Sequence, residues 1–285
     1  MEKDRFVDNT VKKVTVIMKT MFGFIGCGNM GGALAEAVAK RVLGEQLMVC
    51  DALSEKADRL AKLCGAQVAD AVTIAKECQF VFIGVKPQGL RDLFAEISPT
   101  LQLRENNVTL ISMAAGTSIQ EIADLASCTC GIIRIMPNTP ASVGEGMILY
   151  THNSYVSEER MAEFLGTLAE AGMLDCLPEH SIDAASALSG CGPAFAFLFA
   201  EALADGGVEC GLPRDKANLY AAQTLLGSAK LLLESGKHPG ALKDAVCSPG
   251  GTTIAGVHAL EDGAFRAAVM NAVTAAYQRT LEIKK

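Results

Sequence analysis

The sequence predicts an α/β protein in two parts, a parallel sheet flanked by helices and then an all-α segment, and three observations carry that expectation. Met21-Phe-Gly-Phe-Ile-Gly26-Cys-Gly28-Asn-Met-Gly31 sets G-x-G-x-x-G after a short apolar run and before the helical pattern Ala33-Leu-Ala-Glu-Ala-Val-Ala39, the context that a dinucleotide-binding turn requires. Short β-rich runs alternate with helical ones as far as residue 178, which argues for strands joined by helical crossovers. From residue 179, alanine- and leucine-rich segments follow one another without a strand signal. The expected fold class is therefore α/β: a Rossmann-type parallel-sheet domain over residues 21–178, followed by an all-α dimerisation domain over residues 179–285.

Residues 1–20 mix charge with Val-Thr-Val-Ile ahead of the first strand and read as an N-terminal extension without an assigned function. The first strand is expected over residues 22–25. Gly26 turns the chain out of it, Gly28 clears space for a pyrophosphate, and Gly31 lets the next helix, expected over residues 33–41, pack on the strand. Cys27, Asn29 and Met30 complete the loop that brings phosphates to the helix N-terminus. A second strand over residues 47–50 ends in Asp51, 20 positions beyond Gly31, where a ribose-binding acid is expected. After a helix over residues 55–64, further strands are expected over residues 80–85, 108–112 and 131–135. Phe80-Val-Phe-Ile-Gly-Val85 is apolar without alternation, as suits a sheet covered on both faces. The ligand then lies at the carboxyl ends of the strands. There the sequence puts Asp51, Val85-Lys86-Pro87-Gln88, Met113-Ala114-Ala115-Gly116 and Met136-Pro-Asn138-Thr-Pro140.

In the second part, helices are expected over residues 183–188, 194–206, 216–235, 241–246, 254–259 and 264–282. Gly211-Leu-Pro213 and Gly236-Lys-His-Pro-Gly240 break them as a C′ glycine and a following proline do. Ala194-Phe-Ala-Phe-Leu-Phe-Ala-Glu-Ala-Leu203 is apolar on more than one face, more than a lone small bundle can bury, so pairing with a second copy is expected. Ser248-Pro-Gly-Gly-Thr-Thr253 joins a backbone-exposing turn to a helix start. Pro249 fixes φ, Gly250 and Gly251 admit a ligand close to the backbone, and the first helical N–H groups lack intrahelical partners. Such a segment is either a plain capped helix or a grip for a small anion such as a carboxylate.

Half of the 285 residues are hydrophobic, and the net charge is −7 without a basic stripe, which argues against nucleic acid or an anionic membrane as partner. No apolar run approaches the ~20 residues of a membrane span, and the N-terminus lacks the continuous apolar core of a secretory signal, so a cytoplasmic protein is expected. The ten cysteines are scattered through apolar patterns and read as reduced core residues. Cys128-Thr-Cys130 has no second pair, and His152, His180, His238 and His258 stand in unrelated contexts. Neither a metal site nor a His-activated nucleophile is expected.

In order along the chain, Phe22-Gly-Phe-Ile-Gly-Cys-Gly-Asn-Met-Gly31, Val85-Lys-Pro-Gln88, Ile111-Ser-Met-Ala-Ala-Gly116, Arg134-Ile-Met-Pro-Asn-Thr-Pro140, Ala187-Leu-Ser-Gly-Cys-Gly-Pro193 and Asp244-Ala-Val-Cys-Ser-Pro-Gly-Gly-Thr-Thr-Ile254 resemble the pyrroline-5-carboxylate reductase family. The resemblance runs from residue 21 to the C-terminus. It implies a Rossmann domain, a helical domain interlocked with a second copy, and reduction of 1-pyrroline-5-carboxylate to proline by hydride from NADH or NADPH, the final step of proline biosynthesis. It places Gly251 and Thr252 on the substrate carboxylate through backbone N–H groups and Thr253 on the imine nitrogen through its hydroxyl, with Ser248 shaping the turn. Lys86 either lends charge near cofactor or substrate or is a solvated lysine at a strand end. Val85 and Pro87 border the cofactor, Gln88 lines the pocket, and Ala114 and Ala115 leave small side chains and free backbone beside the nicotinamide. Asn138 is read as orienting its loop through local Asx-type bonds. The ring can arrive protonated as an iminium, so no His, Cys or Asp constellation is required.

Asp51-Ala52-Leu53-Ser54 departs from family members that carry Ser, Asn or Arg after the second strand and prefer NADPH. A carboxylate repels a 2′-phosphate and no arginine stands at the next positions, so NADH is expected to be favoured. A β-hydroxyacid dehydrogenase, the nearest rival, would place a lysine in the Gly-rich stretch Ser189-Gly-Cys-Gly-Pro-Ala-Phe195, which has none. A non-catalytic dinucleotide sensor, the second rival, has no use for an intact Pro-Gly-Gly-Thr-Thr segment.

Overall fold

The computed structural model describes residues 20–104 and 108–283; of the expected extension over residues 1–20, all but Thr20 lies outside them. Eight strands are present: β1 (Phe22–Ile25), β2 (Leu47–Cys50), β3 (Gln67–Val68), β4 (Phe80–Ile83), β5 (Thr109–Ser112), β6 (Gly131–Met136), β7 (Gly146–His152) and β8 (Gly172–Cys176). They form one sheet in the order β3-β2-β1-β4-β5-β6-β7-β8. The pairs from β3 through β6 are parallel; β7 then runs antiparallel to β6, and β8 parallel to β7. The crossovers are α1 (Asn29–Ala39), α2 (Ser54–Cys64), α3 (Ala71–Glu77), α4 (Leu90–Gln102) and α5 (Ile119–Ala126), with α6 (Glu158–Thr167) between β7 and β8.

The five expected strands are all present. β4 stops at Ile83 rather than residue 85: Gly84 still donates its N–H to the Ile25 carbonyl at 2.8 Å, and the chain then turns into a short helix at Pro87, which has no N–H to donate. β3, β7 and β8 have weak sequence signatures: β3 is two exposed residues, and β7 opens on a glycine and closes on an exposed histidine. All four side chains of β4 are buried, as its uninterrupted apolar pattern requires. Phe24 stacks on Phe82 at 4.3 Å and Phe22 on Phe80 at 5.3 Å, since paired positions on parallel strands face the same way. These rings pack with Leu34 and Val38 of α1 on one side of the sheet. Val81 and Ile83 meet Phe94 and Ile97 of α4 on the other.

The second part is helical throughout: α7 (Glu179–Ser189), α8 (Gly192–Glu209), α9 (Arg214–Ser235), α10 (Pro239–Ala245), α11 (Thr252–Asp262) and α12 (Phe265–Ile283). Its one internal cluster of buried side chains among the described residues is small, Ala204, Ala217 and Ala221. Phe197 and Leu198 are each 67% exposed and Met270 69%. Apolar patches of this kind mark interaction surfaces. The sequence reading undercounts one feature, because Glu179–Glu209 is long and apolar enough to cross a membrane by length and composition. The stretch is two helices, broken at Gly190 and Cys191, and polar residues are scattered among its apolar ones. The fold is a Rossmann-type parallel-sheet unit followed by an all-α unit.

Candidate active site

The Gly-rich turn is shaped by contact. Gly26 has φ +105°, which an L side chain rarely adopts, and a Cβ there would stand 2.7 Å from the Gly84 carbonyl carbon. A Cβ on Gly31 would collide with the Gly26 carbonyl oxygen, so α1 approaches β1 closely only because residue 31 is glycine. Gly28 differs: a Cβ there would meet nothing within 4 Å. It is the N-cap of α1 and no side chain caps the helix. The N–H groups of Asn29, Met30 and Gly31 have no intrahelical partner and stand at the positive end of a helix.

Asp51 closes this turn. Its Oδ2 accepts the Cys27 N–H at 2.7 Å and its Oδ1 accepts the Leu53 N–H at 2.9 Å. Each oxygen keeps lone-pair capacity for a further donor. The Cys27 thiol donates to the Cys50 carbonyl at 3.3 Å. Burial, aided by the Asp51 charge, pushes this thiol up to about 12, so it stays protonated at neutral pH and is no nucleophile. A cavity of ≈ 600 Å³ borders Gly28, Asn29 and Met30, and two cations of α2, Lys56 and Arg59, line it. The sequence reading missed both, because they lie five and eight positions beyond Asp51. Their signal is helical spacing, since residues three apart share a face.

At the exits of β4 and β5, Val85 is half-buried and Lys86 is exposed. Pro87, Gln88, Ala115 and Gly116 border a cavity of ≈ 460 Å³. Ala114 is buried, with its N–H 3.4 Å from Ser112 Oγ. Asn138 bonds over long range instead of locally: Nδ2 donates to the Ser189 carbonyl at 2.9 Å and Oδ1 accepts the Met147 N–H at 2.8 Å. The expected Asx-type bonding is not formed, because the side chain turns toward α7 and β7.

In the helical part, Gly251 is the N-cap of α11 and offers no side chain to cap it. Its own N–H donates to the Ser248 carbonyl at 3.0 Å, closing the turn. Thr252 and Thr253 open the helix, exposed, with N–H groups that have no intrahelical partner. Among the described residues, no hydrogen bond joins residues 248–253 to the sheet domain of the same chain. The sequence reading also missed a buried ionic cluster, in which Arg134 of β6 meets Asp183 and Glu179 of α7 at 2.7 and 3.3 Å. A lone arginine inside an apolar strand was its signal.

Comparison with known proteins extends these observations. Residues 179–283 match the family described as pyrroline-5-carboxylate reductase dimerisation, and residues 21–116 match NADP oxidoreductase coenzyme F420-dependent. The chain is 39% identical over 271 residues to pyrroline-5-carboxylate reductase of Escherichia coli, covering 94% of this chain and 100% of that protein. The structure of a pyrroline-5-carboxylate reductase from Coxiella burnetii superimposes with a TM-score of 0.84 at 31% identity, covering 94% of this chain and 100% of the other. The Plasmodium falciparum pyrroline carboxylate reductase, solved with NADP bound, gives a TM-score of 0.81 at 30% identity, over 93% of this chain and 98% of that one. With its Gly-rich turn, its uncapped second helix start and this identity across its length, the chain belongs to the pyrroline-5-carboxylate reductase family.

Proposed function

We propose that the chain reduces 1-pyrroline-5-carboxylate to proline with NADH or NADPH, in a crevice that a second copy completes. One observation carries the reading: two uncapped helix starts, at Gly28 on the sheet and at Gly251 in the helical part, offer separate anion cradles. The open space at Gly28 and the tight packing at Gly26 and Gly31 suit a diphosphate at the start of α1. When bound, the reduced nicotinamide supplies the hydride.

The protein's part is placement. Asn29 and Met30 hold the diphosphate through their N–H groups, while Asp51 braces the loop through Cys27 and turns its remaining lone pairs to the ribose hydroxyls. Val85, Lys86 and Pro87 border the crevice after β4, and Ala114 and Ala115 do so after β5, where small side chains leave room for a planar ring. The Thr252 and Thr253 N–H groups grip the substrate carboxylate; Gly251, whose N–H closes its own turn, serves by leaving the approach clear. The Thr253 hydroxyl bonds to the ring nitrogen and aims the C=N carbon. As hydride adds to that carbon, the π pair moves to nitrogen, and an iminium that arrives protonated becomes the amine without a further proton.

The exposed apolar helices imply a homodimer through residues 179–285, whose partner brings residues 248–253 to the sheet, and the division at residue 178 separates cofactor from assembly functions. Ten free thiols fit a reducing compartment, the cytoplasm. Asp51 favours NADH. The test is oxidation of NADH by the assembled protein with authentic 1-pyrroline-5-carboxylate, with proline identified as product. Folded, dimeric protein that binds NADH and forms no proline overturns the reading.

A further inference from the structure

We propose that Arg134 is a positioning residue, whose guanidinium seats α7 on the sheet and thereby fixes, within each copy, both the loop after β5 and, through α12 and α11, the grip that the copy lends to its partner's crevice. The inference rests on the crevice reading above. Arg134 is 1% exposed and sends Nη2 to Asp183 Oδ1 at 2.7 Å and Nη1 to Glu179 Oε1 at 3.3 Å. The two acids stand four residues apart on α7 and so share a face. Glu179 Oε1 also accepts the Ile119 N–H at 2.7 Å. Ile119 is the first residue of α5, three positions after Gly116, so one carboxylate ties the end of the β5-exit loop to the guanidinium.

At the other end of α7, Asn138 holds the Ser189 carbonyl at 2.9 Å. α7 is thus fastened at its first residue, its middle and its last, each time by a group of the sheet domain. The next residues, Gly190 and Cys191, are the break before α8. α12 packs on α7, and α11, with Thr252 and Thr253 at its start, packs on α12. The seat of α7 therefore sets where the grip stands. A buried ion cluster is poor evidence for stability, because well-packed apolar residues serve as well. Arg134 Nε is itself buried without a partner among the described residues. A rigid planar fork fixes angles, which is what a seat between the sheet and the helical part needs when each contributes to a different one of the two crevices.

Arg134→Lys keeps the charge and reaches only one acid; Arg134→Met removes the charge. For each assembled variant, dinucleotide Kd, kcat and KM for the imine, and hydrogen exchange at the Ile119 amide are measured. The Lys variant is expected to keep dinucleotide Kd and imine KM within about twofold, lose kcat by about fivefold or more, and exchange Ile119 faster than the amides of β1 and β4. The Met variant is expected to lose more kcat than the Lys variant. A kcat within about twofold of the parent despite faster Ile119 exchange overturns the proposal, as does exchange accelerated evenly across the sheet. If the Met variant fails to fold, Glu179→Gln takes its place; its carboxamide still accepts from Ile119 but loses the charge facing Arg134, and an unchanged kcat beside faster local exchange counts equally against the seat. A parent protein inactive on the imine refutes the crevice reading instead, and a loosened Ile119 amide in the Lys variant still reports the seat.

Discussion

At the scale of single residues, Asp51 has one role that is proposed from the sequence and one that the structure shows. Its spacing from Gly31 marks a ribose acceptor, and the structure adds the brace to Cys27. Asp51→Asn is expected to raise the kcat/KM ratio of NADPH to NADH by about tenfold or more, or ~1.4 kcal/mol, because the carboxylate that repels a 2′-phosphate is gone, while Lys56 and Arg59, against the single acid Glu36, line the neighbouring cavity. An unchanged ratio removes Asp51 from cofactor choice. Thr253→Val keeps the shape and loses the hydroxyl. Its kcat/KM for 1-pyrroline-5-carboxylate is expected to fall by about tenfold; a fall below about threefold, under ~1 kcal/mol, leaves the hydroxyl no role at the ring nitrogen. Residues of this kind are legible when their signal is local, as with the glycines, Asp51 and the threonine pair. Asn138 and Arg134 escape because their partners lie 51 and 49 positions away, which no local pattern encodes.

At the scale of elements, the β1 turn and α1 form one unit, and Gly31 is the contact that lets them. Gly31→Ala forces a methyl into the Gly26 carbonyl, so α1 must lift from β1 and dinucleotide affinity is expected to fall by at least about tenfold in fluorescence titration, ~1.4 kcal/mol. Affinity equal to the parent's means that the turn does not hold the diphosphate. Thiols packed between sheet and helices set an alkaline limit. Burial pushes Cys27, Cys78 and Cys130 up to about 12 and Cys64 to about 11 from 9.0. A thiol whose folded value lies above its unfolded one lends stability below the unfolded value and loses it as pH rises through the folded one. The urea midpoint is therefore expected to hold up to about pH 9 and to decline from there toward 12, less steeply in Cys78→Ala; the same slope in that variant removes the thiol from the account. Strands with strong patterns, β1, β2, β4, β5 and β6, are legible in the sequence. β3 escapes because it is two exposed residues, and β7 and β8 because their apolar and polar residues are mixed and they gain their stability from neighbours already in the sheet.

At the scale of the whole molecule, the helical part cannot stand alone as drawn in one chain, since Phe197, Leu198 and Met270 lie largely in solvent. Phe197→Asp is expected to place a charge in the paired surface, shift sedimentation toward the monomer and abolish imine reduction, while NADH titration stays within about twofold because the sheet folds on its own core. A fully active monomer contradicts a crevice shared between copies. Excess apolar surface made the need for a partner legible, whereas the way two chains meet is a property of their joint surface and no run of residues writes it. The most direct test of the central claim is transfer of label. With reduced dinucleotide deuterated on the transferred face of nicotinamide C4 and unlabelled 1-pyrroline-5-carboxylate, the account predicts proline carrying one deuteron on the former imine carbon, and proline formed without that deuteron contradicts it.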